Sequence, residues 1–149
     1  MKFGWVLLVL FSGLLVPMQS AINAKLRTFV VNPTYSAFIS FLTGTLCLAL
    51  VAGISLAQGQ PGNMRAATGA PWWAWLGGLF GTIFVTCAIL AIPRIGATVA
   101  SASLIVGQLI AALILDHYGL LDLPKHPISP ARIAGAVLLC VALWLIQKG

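Results

Sequence analysis

The sequence predicts an all-α integral membrane protein with five transmembrane helices, and three observations lead there. Of its 149 residues, 60% are hydrophobic and only 7% charged, with a mean hydropathy of +1.06, far from the average soluble domain. Eight Lys and Arg and two acidic residues are too few to coat a water-soluble domain of this size. The apolar residues also gather into five runs, 3–22, 37–56, 73–92, 95–115 and 131–146. Most of them reach the about 20 residues that a helix needs to cross the hydrocarbon core.

The first run follows Lys2 and has small residues at Ala21 and Ala24, in the manner of a secretory signal peptide. Pro17, Gln19 and Asn23 suit a cleavage region poorly, and four further runs argue that the segment is retained. Pro17 has no N–H to give the carbonyl of Gly13, so a kink or opening is expected there. Gln19 and Asn23 follow on one helix face. Interrupted helices beside polar side chains are where many transporters bind substrate, which makes Gln19 and Asn23 cavity candidates. An ordinary proline kink with a polar helix end is the plainer reading. A turn is expected at Asn32-Pro33.

Ser36, Ser40 and Gly44, from the residue before the second run onward, recur every fourth residue, as do Ala74, Gly78, Thr82 and Thr86 in the third and Ser103, Gly107 and Ala111 in the fourth. Gly77 and Gly81 add a GxxxG. Such rows let helix backbones approach closely in lipid. A linker rich in Gly, Pro and Asn spans Gln58 to Gly69. Trp72, Trp73 and Trp75 then open the third run, either as an interfacial aromatic belt or, for Trp72 and Trp73, as an aromatic mouth on which a flat or cationic substrate stacks. Pro93-Arg94 marks a short turn, with Arg94 as a headgroup anchor.

The fourth run holds Gln108 near its middle. Ala97, Ser101, Leu104, Gln108, Ala112 and Leu115 share one helical face, so Ser101 and Gln108 look into the bundle together. They are candidates for substrate contact, with helix-to-helix hydrogen bonding as the alternative. Asp116, His117, Asp122 and His126 crowd the next loop without a recognised ligand spacing, so no metal and no cofactor is expected. Asp116, eight residues after Gln108, is the candidate end of a proton path. The fifth run is short, so Arg132 is expected to snorkel to the interface.

Other functions find no support. The three cysteines, Cys47, Cys87 and Cys140, lie in three different runs with no CxxC spacing and read as core packing. The basic residues are dispersed between apolar runs, unlike a nucleic-acid patch. No paired carboxylates and no nucleophile with its base come together along the chain, so no enzyme is expected. Lys and Arg also divide evenly: Lys2, Arg65, Lys125 and Arg132 on one side, Lys25, Arg27, Arg94 and Lys148 on the other. Such balance fits insertion in both orientations with antiparallel pairing; equally, Lys25 and Arg27 could dominate and place their loop in the cytoplasm.

From end to end the chain resembles the YdcZ-type family of the drug/metabolite transporter superfamily. The resemblance rests on QSAINAKL, SFLTGTL, PWWAWLGGLFG, IPRIGA, VGQLIAALILDHYGL and RIAGAVLL in order. Cys140-Val141 departs from it, since relatives tend to carry a small residue there. The resemblance implies a bacterial inner-membrane, multi-pass protein that is half of an inverted-repeat transporter, exporting a small metabolite as an antiparallel homodimer or with a paired homologous chain. An odd helix count lets a second copy sit upside down, the architecture of many secondary transporters. The chain contains no Glu, and neither Asp lies mid-helix, which disfavours proton exchange for lipophilic cations. The alternatives are a dual-topology small-ion channel and a non-transporting membrane partner subunit.

Overall fold

The structure is a computed structural model that describes residues 2–60 and 62–148, without the side chain of Lys2. Four α-helices make up its main elements: α1 (Lys2–Val30), α2 (Pro33–Ala57), α3 (Gly77–Tyr118) and α4 (Pro130–Lys148). Short 3-10 turns at Met64–Gly69, Trp72–Leu76 and Leu120–Asp122 complete the fold, and no strand occurs among the described residues. All four helices are long and apolar enough to cross a membrane. Large apolar side chains cover their outsides, from Phe3, 72% exposed, to Leu138, 68% exposed. In water that surface would aggregate; in lipid it is the favourable one.

The apolar runs predict where the helices are better than where they stop. The first run ends at Ile22, yet α1 continues to Val30. Hydropathy reports which residues suit lipid, whereas a helix ends where its hydrogen bonding is interrupted. Here that point is Val31-Asn32-Pro33. Val31 turns out of the helix with φ 64°, a costly conformation for a β-branched residue. Asn32 then caps α2 by accepting a hydrogen bond from the backbone N–H of Thr34 at 2.8 Å, with Pro33 in the first turn. At Pro17, where the sequence predicts a kink or opening, the helix runs on.

The break inside α3 lies elsewhere. Its 42 residues include Gly96 at φ 78°, ψ 160°, outside helical geometry. Only glycine takes that conformation without strain. The third and fourth apolar runs therefore lie in one element with one non-helical residue, three positions after Pro93. At the helical rise, α3 amounts to about 63 Å of helix, roughly twice the hydrocarbon thickness.

The chain divides into two compact units, Met1–Pro93 and Arg94–Gly149. In the first, α1 packs on α2. Ser36, fully buried, donates its hydroxyl to the carbonyl of Asn23 at 2.7 Å. Ala37 of α2 and Val85 and Ile89 of α3 form a small core, with Phe84 against it. Gly81 comes close to the Phe41 ring: a Cβ there would lie 3.3 Å from its Cζ. At Gly44, Gly77 and Gly78 an added Cβ would meet nothing within 4 Å, and the same holds at Gly107 of the second unit. Of the small-residue rows, the Gly81 position is thus the glycine in close contact.

In the second unit the end of α3 is fastened to the start of α4. Gly119 ends α3 in the left-handed conformation, φ 65°, where a side chain would also strike Lys125. Arg132 donates to Asp116 Oδ2 at 3.3 Å and to the carbonyl of His126 at 3.1 Å. The N–H of His126 reaches the carbonyl of Asp116 at 2.8 Å. His117 Nδ1 accepts from the N–H of Ile128 at 3.2 Å. Ser129 takes the backbone N–H of Arg132 on its hydroxyl. Arg132, expected to reach for the headgroups, pairs with Asp116 while its side chain stays 38% exposed.

Candidate functional site

The polar groups of the first unit gather on α1. Gln19, Asn23 and Arg27 recur at four-residue spacing, so one face carries all three. Because α1 extends to Val30, Gln19 and Asn23 are inside the helix and not at its end. Gln19 is exposed and lines a cleft of about 250 Å³ with Ser40, Phe41, Gly44, Thr45 and Leu48 of α2. Ser40 and Gly44, two members of the small-residue row, leave this space open because neither fills it with a long side chain.

One turn further on, Asn23 is 4% exposed. Its carbonyl receives the Ser36 hydroxyl, but its buried Nδ2 meets no acceptor among the described residues. A buried amide without partners is costly, about 1–3 kcal/mol, and native folds rarely retain one without a use for it. A further turn on, a concavity of about 290 Å³ is lined by Ala24, Arg27, Thr28, Val31 and Pro93. Arg27 is half-buried there.

Several hydroxyls on the apolar helices are occupied within their own helices. Thr43 donates to Ile39, Thr45 to Phe41, Thr82 to Gly78 and Ser103 to Val99, all at 2.8–2.9 Å onto backbone carbonyls. This is how Ser and Thr are accommodated in apolar helices.

In the second unit Ser101 is half-buried and Gln108 exposed on α3. Asp116 is held by Arg132, as described. An apolar cavity of about 640 Å³ lies between Ile110 and Leu113 of α3 and Ala136, Val137 and Trp144 of α4. Trp72 is 75% exposed and Trp73 half-buried in the 3-10 turn that precedes α3. Among the described residues no group of His, Cys, Asp and Glu could hold a metal ion. The cysteines are free and exposed.

Two features escape a reading of the sequence. Ser36 stands out there only for its size, yet it ties α2 to Asn23. Arg27 has the four-residue spacing from Asn23 that joins it to the polar stripe, but the apparent helix end at Ile22 hides this.

Helices of membrane-spanning length, apolar on the outside, define the class as an integral membrane protein. Residues 4–145 match the family described as "Putative inner membrane exporter, YdcZ", and the chain belongs to that family. The family is one of exporters, transporters in place of enzymes. No curated protein and no solved structure matches the chain.

Proposed function

We propose that the chain exports a small metabolite across the inner membrane as an antiparallel dimer of five-helix units, alternating access as one unit rocks against the other. Two crossings come from α3, divided at Gly96, and one from each other helix. The candidate substrate contacts are Gln19 and Asn23, with Trp72 and Trp73 as aromatic stacking residues, in the first unit, and Ser101 and Gln108 in the second. The observation that carries this reading is the cleft beside Gln19 together with the buried Asn23 Nδ2 one turn along α1, which has no acceptor among the described residues. Polar groups in lipid are expensive, and an unused donor one turn from an open cleft is what a binding site requires before its ligand arrives. The open faces of Gly44, Gly78 and Gly107 leave room for a second chain.

A narrow ion channel is less well supported, because the hydroxyls that would line it already donate to their own backbones. The test uses reporters active on one side of the membrane, fused after Gly149. Activity on both sides, swung by one added Lys, is expected for antiparallel homodimers. A single fixed orientation would mean an oppositely inserted partner chain or a different mechanism. Gln108→Leu should abolish export with the dimer intact; loss of the dimer would make Gln108 structural.

A further inference from the structure

The class of substrate depends on the chain being an exporter, as proposed, and is then set by the polar stripe of α1. From Gln19 to Arg27 that stripe runs about 12 Å along the helix axis. The guanidinium brings five N–H groups and no lone pair to offer, and each of the two amides adds an NH2 beside its own oxygen. Asn23 accepts the Ser36 hydroxyl on its backbone carbonyl, not on its side chain. Its Nδ2 is buried and unpartnered.

The charge of the surrounding unit is equally one-sided. Between Met1 and Pro93 the sequence has Lys2, Lys25, Arg27 and Arg65, and no Asp or Glu. Lys25 lies over the Phe29 ring at 5.5 Å. The ion pair among the described residues joins Arg132 to Asp116 in the other unit. Arg27 therefore has no carboxylate to neutralise it, although it is half-buried in a concavity with Thr28. The carbonyls that end α1 soften this charge, but they carry only a partial negative charge. A half-buried guanidinium followed by two amides, one of them buried, is complementary to a group that carries full negative charge and several acceptor oxygens.

We infer that the substrate carries an anionic oxygen group, a carboxylate or a phosphate. Arg27 captures it at the Val31 end of α1, and the amides of Asn23 and Gln19 receive it further back along the helix. The same chemistry would hold the phosphate of an anionic lipid, so the test separates the two sources.

Purified full-length protein in nanodiscs of zwitterionic lipid is titrated calorimetrically with succinate, inorganic phosphate and tetramethylammonium. Saturable binding of succinate or phosphate is expected, and the anion that binds identifies the group. Arg27→Gln should weaken it about tenfold or more, and Arg27→Lys by less, since a point charge keeps the attraction without the fork. Unchanged elution in size exclusion shows that the variants are folded. Binding of neither anion, binding indifferent to Arg27→Gln, or preference for tetramethylammonium overturns the inference. So does a stabilising shift from added phosphatidylglycerol, lost in Arg27→Gln, with no anion bound in neutral lipid; Arg27 is then a lipid anchor. These titrations do not depend on orientation or pairing, so their failure leaves the exporter reading standing. A failed topology test likewise leaves the anion result intact.

Discussion

Among the described residues the Asn23 Nδ2 of α1 is buried with no acceptor, and no carboxylate pairs with Arg27. Between α3 and α4 the opposite holds: Asp116 accepts from Arg132, Arg132 also reaches the His126 carbonyl, and His117 accepts from Ile128. Both regions gather polar side chains into a chain that is otherwise made for lipid. In the second their hydrogen-bonding capacity is used to close a loop; in the first part of it is unused. Polar residues count as evidence of a site by what they leave unbonded, and residue type alone does not separate the two regions.

The sharpest way to break this comparison is Asn23→Leu. If the unbonded amide serves export, the variant loses transport by about tenfold or more, while thermal unfolding shows equal or greater stability, because an unsatisfied donor of about 1–3 kcal/mol has been removed. Lower stability with export retained would place Asn23 among the structural groups. Ser36→Ala comes next. It removes one buried hydrogen bond between α2 and α1, for an expected loss of about 1 kcal/mol in a denaturation series. The smallest effect is expected from Asp116→Asn. Asp116 and Arg132 are each more than a third exposed at the side chain, so their pair is worth up to about 1 kcal/mol, and export should keep both its rate and its pH dependence. A pH profile flattened by Asp116→Asn would make this carboxylate the proton path and remove the contrast between the regions.

The membrane class and the position of each apolar run were legible because lipid demands about 20 apolar residues in a row, and nothing else in a chain of this size does. The ends were not, since Asn23 to Val30 are helical without being continuously apolar. Pro93-Arg94 pointed to the right neighbourhood in α3, but Gly96 is the non-helical residue, because glycine alone is indifferent to the sign of φ. The Asp116–Arg132 pair spans 16 positions across a loop, a separation at which neither helical nor strand periodicity carries information. Gln19 and Asn23 were recognisable from their cost in lipid. Their context differs from the expected one: a continuous helix through Pro17 and a cleft made by the small residues of α2.

During synthesis, the stretch from Trp72 to Tyr118 reaches the insertion machinery as one greasy signal of 47 residues. It is long enough for two crossings, and between its ends the sole Lys or Arg is Arg94. The five-crossing arrangement proposed above thus has one decision point in its longest segment, where one cation and one achiral residue, Gly96, stand within three positions. A topology read from so little is easily reversed, which is the property that the proposed antiparallel pairing asks of this chain.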